Sequence, residues 1–105
     1  MDRRANNHIT RILQQSVAAL RSNRNHDERW LQEERADREL VSYTQKVMRD
    51  SLAAAAEKGR SGWWREDECT VQHLENLLQK AMDDRDYPSV INYAAMLEVR
   101  RLTDE

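Results

Sequence analysis

The most apolar stretch of the chain reads Val-Ile-Asn-Tyr-Ala-Ala-Met-Leu and occupies residues 90–97. Asn92 is its one polar residue, so a helix made of this stretch has no polar stripe for solvent. We therefore expect other elements to cover most of its circumference. Pro88 precedes the stretch, and the first turn of a helix tolerates its missing N–H. The fold should be organised around this helix, with Tyr93 and Leu97 in the core.

The composition of the 105-residue chain favours helices throughout. The chain has two Gly, one Pro and no Phe, and it is rich in Ala, Leu, Gln, Glu and Arg, which lose little side-chain freedom in a helix. Strands would require more β-branched and aromatic residues. The length is enough for one modest core. We predict an all-α protein with an N-terminal helical hairpin or coiled-coil-like arm and a compact C-terminal helical module.

Charge and cysteine content do not favour a nucleic-acid, membrane or disulfide-dependent role. Residues 1–58 carry 11 basic and 9 acidic residues and residues 59–105 carry 6 and 10, an asymmetry too small to predict nucleic-acid or membrane binding. Cys69 is the single cysteine, which excludes an internal disulfide. No stretch resembles a secretory signal or a membrane span. We expect a cytoplasmic protein with no membrane partner.

The arm is expected to span residues 1–39. Apolar residues recur at helical spacing in its first helix, at Ile9, Ile12, Leu13, Val17 and Leu20. A turn near residues 22–27 should precede a second helix that reaches about residue 58, because no Gly or Pro interrupts it. Its middle, residues 32–39, has Ala36 as its one apolar residue. This middle is typical of an exposed strut held by Glu-Arg pairs four residues apart.

Apolar residues on both sides of this strut predict how the arm is supported. Trp30 and Leu31 should pack against the first helix or form a seam with a second copy, and the apolar residues 40–56 should pack on the C-terminal half. Five apolar positions on one short helix bury too little surface for a lone hairpin. We therefore expect a homodimer through the arm. Trp30, Arg35 and Arg38 are candidate contacts for a protein partner, and Trp30 is either the seam of the dimer, which we favour, or an exposed anchor.

The C-terminal module, residues 40–105, should include a tight turn at residues 59–64. Gly59 stands where a left-handed residue ends a helix, and Thr70 is a suitable N-cap for the next helix. Trp63 is expected to plug the core against the two helices that follow. An amide inside an apolar helix needs a hydrogen-bond partner, so Asn92 should bind backbone near Gly62 or Trp63.

Several short motifs follow one another in residues 59–100. They are Gly62-Trp63, Cys69-Thr70, a Leu-rich helix, Asp86-x-Pro88 and Val90-x-Asn92. In this order they resemble a C-terminal module of small, largely uncharacterised proteins of tailed bacteriophages. This chain has Arg85 where the module carries Gly and Ser89 where it carries Asp. The resemblance implies a phage accessory protein acting inside an infected bacterial cell, and it implies no known chemistry.

Catalytic and metal sites are not expected. The closing helix is faintly similar to that of all-α nucleotide pyrophosphohydrolases, which hold Mg²⁺ with carboxylates at i, i+3 spacing on two helices. The chain offers only Glu34-x-x-Asp37 and Asp83-x-x-Asp86, and Ser89 stands where a further ligand would lie. Cys69 and His73 are two ligands where zinc needs four. We assign no catalytic, cofactor or metal residue, and a degenerate or divergent nucleotide hydrolase is the third hypothesis.

The remaining candidate residues are surface groups. Trp64 is the better contact candidate of the two adjacent tryptophans, and Arg65 follows it. The leading hypothesis is a non-enzymatic phage accessory protein that binds and modulates a host or phage protein. The alternative is nucleic-acid binding by a basic first helix, whose candidate contacts are Arg3, Arg4, Arg11 and Arg21.

Overall fold

A computed structural model describes the backbone of residues 3–22 and 26–104, and the side chains of residues 8–22 and 28–104. Within these ranges the chain forms four α-helices and no strand. The helices are α1 Arg3–Ser22, α2 His26–Glu57, α3 Val71–Asp83 and α4 Tyr87–Thr103. The all-α prediction is confirmed. Residues 23–25, within the turn expected at residues 22–27, lie outside the described ranges.

The chain divides into two compact units, Met1–Val47 and Met48–Glu105, and the division falls within α2. The first unit contains α1 and the N-terminal part of α2. The second contains the C-terminal end of α2 together with α3 and α4. The boundary that the sequence suggests, at residue 39, lies earlier along α2.

In the first unit, α1 and α2 pair through one face of each helix. The apolar face of α1 is half-buried along its length, at Ile9, Ile12, Leu13, Val17 and Leu20. Ser16 is buried on this face, and its hydroxyl donates a hydrogen bond to the carboxylate of Glu39. On α2, Ala36 is buried and Gln32 half-buried. The middle of α2 is therefore not a strut exposed on all sides, because one of its faces is covered.

The apolar residues at both ends of this strut lie outside the covered face. Trp30 and Leu31 are not enclosed by α1, since 61% and 51% of their surfaces are exposed. Leu40 and Val41 are also exposed, although the sequence predicts that they pack on the C-terminal half. For three of these four residues the reason is helical geometry. At about 100° per residue, Trp30, Leu31 and Val41 lie roughly 120–140° around the helix from Ala36. Leu40 lies only about 40° from Ala36, so helical geometry does not account for its exposure.

The end of α2 is set by a glycine in the left-handed conformation. Gly59 has φ 80°. Its N–H donates to the carbonyl of Ala56 at 3.0 Å, and the N–H of Arg60 donates to the carbonyl of Ala55 at 3.0 Å. These two bonds form a Schellman motif, which satisfies carbonyls that the helix leaves unpaired. The predicted C-cap role of Gly59 is confirmed.

The beginnings of α3 and α4 are capped by side chains. Thr70 Oγ1 accepts a hydrogen bond from the His73 N–H at 3.0 Å, as the sequence predicts. Asp86 caps α4, accepting from the Ser89 N–H at 3.4 Å and from the Ser89 hydroxyl at 2.5 Å. Pro88 lies in the first turn of α4, as predicted.

The core of the second unit lies between α3 and α4, which pack against each other along their lengths. Leu74 and Ala81 of α3 are buried, as are Asn92 and Arg100 of α4. Leu74 has only 1% of its surface exposed. Asn92 and Arg100 are eight residues apart, so they lie on the same side of α4 about two turns apart.

The apolar stretch 90–97 is less covered than the sequence predicts. Asn92 is its one buried residue, Ala94 is exposed, and its other residues are half-buried. Tyr87 and Leu102 on the same helix are exposed as well. The elements that can cover α4 in this unit are α3, the end of α2 and the 58–70 loop. They leave one side of α4 exposed to solvent.

Candidate protein-interaction site

Arg100 of α4 holds the loop that precedes α3. Only 1% of its surface is exposed. Its Nη1 donates to the backbone carbonyls of Trp63 at 3.0 Å and Cys69 at 2.8 Å. Its Nη2 donates to the Glu66 carboxylate, and its Nε donates to Asp104 Oδ2 at 2.7 Å. One guanidinium therefore fixes both ends of the segment 63–69 on α4, which we call the clamped loop.

Glu66 extends this network to α3. Its Oε2 accepts the backbone N–H of Val71 at 3.1 Å as well as the bond from Arg100. The N–H groups of a first helical turn have no partner within the helix, and a carboxylate there is also favoured by the helix dipole. The Arg100–Glu66 pair thus joins the last turn of α4 to the first turn of α3.

Sequence reasoning did not identify Arg100 as this clamp and assigned the role to Asn92. That assignment is wrong. Asn92 Nδ2 donates to Ser51 Oγ of α2 at 2.8 Å, while its buried Oδ1 has no hydrogen-bond partner among the described residues. Asn92 ties α4 to α2, and Arg100 ties α4 to the loop. The available signal was spacing, since Asn92, Met96 and Arg100 recur every four residues on one side of α4.

Gly62 makes the clamped loop possible. It is buried and has φ 80°. A Cβ at this position would lie 2.9 Å from Glu68 Cβ and 3.0 Å from Glu68 Cδ. Gly59 has the same φ, but a Cβ there would meet nothing within 4 Å. Gly62 is therefore needed both for its backbone conformation and for the close approach of Glu68.

Trp64 projects from the clamped loop into solvent, with 55% of its surface exposed. The Arg65 guanidinium lies 5.9 Å from the centroid of its ring, within range of a cation–π contact. Arg65 is held in turn by Asp67, through Nε to Oδ1 at 3.0 Å and Nη2 to Oδ2 at 2.8 Å. Glu68 lies 3.6 Å from Arg65 Nη1. The Trp64 ring is thus presented beside a guanidinium whose position is already set.

The other residues proposed for the framework lie nearby but are less enclosed than expected. Trp63, Tyr93 and Leu97 are all half-buried. Trp63 contributes its backbone carbonyl to the Arg100 clamp. The packing of its ring as a core plug between α3 and α4 stays a prediction.

The arginines proposed as contacts on the arm are exposed where the structure describes them, and they lie on α2 and on α1. Arg35 pairs with Glu39 at 3.1 Å, and Arg38 lies 3.7 Å from Glu34, so both form the predicted pairs along α2. Arg11 and Arg21 are exposed on α1. The side chains of Arg3 and Arg4, the other proposed nucleic-acid contacts, lie outside the described residues.

Hydrogen bonds shift the pKa of several groups at the end of α4. The bond to Asp104 raises the pKa of Arg100, with a further contribution from Glu66, although burial acts in the opposite direction. The bond from Arg101 lowers the pKa of Glu98, and Glu98 raises the pKa of Arg101. Arg100 therefore stays charged while it is enclosed.

Metal-ligating groups do not cluster in the part of the chain that the structure describes. No group of three or more His, Cys, Asp or Glu side chains is placed to hold an ion there. Cys69 is half-buried and His73 is exposed. Asp86, part of one of the two carboxylate pairs considered above, caps α4 together with Ser89.

The connection between α3 and α4 contains a residue in an unusual conformation. Arg85 has φ 56°, a left-handed value, where the phage module carries Gly. Its N–H donates to Met82 at 3.1 Å and the N–H of Asp86 donates to Ala81 at 2.9 Å. This is a second Schellman motif, formed at the cost of backbone strain.

Comparison of the chain with known protein families, with curated proteins and with solved structures finds no match. The resemblance to the phage module stays a prediction. Among the described helices, none has both the length and the apolar character needed to cross a membrane.

Proposed function

We propose that this protein is a non-enzymatic accessory protein that binds another protein through Trp64 and Arg65. The observation that carries the proposal is the Trp64 ring, more than half exposed beside an arginine that Asp67 holds in place. Trp and Arg are the residue types most enriched among those that dominate binding energy at protein interfaces. A side chain that is already positioned loses less conformational freedom on binding.

The phage module supplies the biological setting of the proposal. Residues 59–100 resemble that module, so we propose that the protein acts in the cytoplasm of an infected bacterial cell and modulates a host or phage protein there. Takeover of host processes, counter-defence, and control of replication or repair are the roles we consider.

Affinity purification from infected cells tests this proposal. The tagged full-length protein and its Trp64→Ala variant are compared, with Leu102→Ala as a control because Leu102 is exposed to a similar extent in the same unit. We expect the wild type and the Leu102→Ala control to capture the same partner. The Trp64→Ala variant should bind the purified partner with an affinity at least about tenfold lower than that of the wild type. If every captured protein binds the Trp64 variant as well as the wild type, the proposal is wrong.

Nucleic-acid binding by α1 is the second candidate, supported by the exposure of Arg11 and Arg21 on one helix. Binding through phosphate contacts weakens steeply as salt is added. Mobility-shift assays over a salt series therefore distinguish it. Salt-sensitive binding that is lost in an Arg11→Ala, Arg21→Ala double variant and kept in Trp64→Ala would favour this candidate over protein binding.

A further inference from the structure

One side of α2 in the first unit is uncovered and carries a self-complementary arrangement of residues. Trp30, Glu34, Arg38 and Val41 are spaced by four, four and three residues and form what we call the outer face of α2. Trp30 and Val41 are exposed by 61% and 65%. They are about three turns apart, or about 17 Å along the helix axis. Glu34 and Arg38 lie between them, with side chains 56% and 70% exposed.

This unit has little core of its own. Among its described residues, Ala36 is the one buried hydrophobic residue, and Ser16, which is also buried, is polar. Small units with so little buried apolar surface usually need support from outside. The outer face offers the apolar surface through which that support can come.

The accessible surface of the chain is larger than that expected for compact bodies of the same mass. Two compact bodies with the lengths of the two units would together expose about 7,400 Å² by the scaling of surface with mass. The chain exposes 8347 Å². The excess is about 900 Å², and an interface of standard size buries about 800 Å² on each partner. An interface of that size with a second copy would bury a comparable area.

We propose that the outer face of α2 binds the same face of a second copy in antiparallel orientation. In this register Trp30 of each copy packs on Val41 of the other, and Glu34 of each copy pairs with Arg38 of the other. A two-fold axis makes both contacts occur twice, since residue i meets j and j meets i. The axis passes midway between Trp30 and Val41, where the charges of opposite sign lie.

The inference goes beyond the proposed function, because it concerns a second copy and the first unit, whereas Trp64 belongs to the second unit. The two can fail separately. Trp64→Ala is expected to keep the oligomeric state of the wild type, and a variant of the outer face is expected to lose it.

Solution mass of the full chain over a concentration series is the first test. We expect a species of twice 12.4 kDa that dissociates on dilution. Trp30→Ala should raise the dissociation constant at least about tenfold while leaving the helical circular dichroism unchanged. Leu102→Ala, with 60% exposure in the second unit, is the matched control and should dimerise as the wild type does. A chain that is monomeric throughout, or a Trp30 variant that dimerises normally, overturns the proposal.

A charge exchange tests the orientation. The double variant Glu34→Arg, Arg38→Glu keeps the pair within α2 and also keeps opposite charges across the antiparallel interface. We expect it to dimerise as the wild type does. In a mixed dimer of the two proteins, however, like charges meet at both crossings, so mixed dimers should be depleted on the order of tenfold relative to random pairing. In a parallel dimer each residue would face its own copy, so like charges would meet in the unmixed dimers. Mixing the two proteins would bring opposite charges together, and mixed dimers should then be enriched.

Native mass spectrometry, with one protein labelled with ¹⁵N because the exchange leaves the mass unchanged, measures the mixed fraction. Depletion of the mixed dimer supports the antiparallel register. A random or enriched mixed fraction overturns it.

Discussion

Arg100 Nη1 donates hydrogen bonds to the carbonyls of Trp63 and Cys69, two residues at opposite ends of one loop. Loss of the donor would leave these two half-buried carbonyls unpaired, and the carboxylates of Glu66 and Asp104 would lose their shared cation at the same time. The loop that presents Trp64 therefore depends on a residue more than thirty positions later in the chain.

Arg100→Ala should lower the thermal midpoint of unfolding by more than about 5 °C. Arg100→Lys should also be destabilising, because one ammonium group cannot reach the four partners that a planar guanidinium joins. The neighbouring Arg101→Ala is the matched control. Its side chain is exposed and pairs with Glu98 one turn away, so the midpoint of this variant should stay near that of the wild type. Equal effects of the two alanine variants would contradict the clamp.

Gly62→Ala should destabilise the protein by about 2 kcal/mol or more, because a Cβ adds both a left-handed strain and contact with Glu68. Gly59→Ala has the strain without the contact, so we expect about 1 kcal/mol. Urea unfolding of the two variants measures the difference. If Gly59→Ala proves the more harmful change, the packing of the loop on Gly62 is not as described.

Arg85→Gly should stabilise the protein by about 0.5–1 kcal/mol. Glycine removes the cost of a left-handed side-chain residue, and the larger freedom of the unfolded chain offsets part of the gain. Arg85→Ala keeps the Cβ and should bring no gain. Chemical unfolding of both variants decides whether the backbone or the guanidinium matters at this turn.

Leu74→Ala should cost about 3 kcal/mol as a cavity mutation, because Leu74 is enclosed between α3 and α4. Leu97 is only half-buried, so Leu97→Ala should cost about 1–2 kcal/mol. The unfolding free energies of the two variants measure which residue belongs to the centre of the core. A larger loss at Leu97 would restore the sequence-based view of residues 90–97.

Asp37→Asn should strengthen self-association several-fold if the antiparallel register is right. Asp37 lies near the proposed two-fold axis, where its copies would come close and repel. Glu33→Gln is the control, since Glu33 already pairs with Arg29 within α2 at 3.0 Å. Sedimentation of both variants gives the dissociation constants. An unchanged or weaker dimer in the Asp37 variant would argue against this register.

Features that depend on neighbours along the chain were predictable from the sequence. Gly59, Thr70 and Pro88 act within one turn of their own helix, so their residue types were enough to place helix ends. The covered face of α2 was not predictable, because Ala36 and Gln32 do not form an apolar stripe and their burial follows from contact with α1.

The site residues show the same limit. The side-chain amide of a buried Asn92 needs a hydrogen-bond partner. The sequence does not show whether that partner is Ser51 or the backbone of the loop. Arg100 follows the apolar stretch 90–97 and looks like an ordinary cation in the last turn of a helix. Only the approach of Trp63, Glu66 and Cys69 to the same point makes it a clamp.

The wide sequence separation of the Arg100 contacts has a consequence for the order of folding. The contacts close chain segments of 31 to 37 residues, so forming them carries a loop-closure entropy that contacts within one helix do not have. We expect the clamped loop to become protected from amide exchange later than α3 during refolding. Trp64 would then be fixed in place only when the second unit is completely folded. A partner that binds this ring would therefore not bind incompletely folded chains.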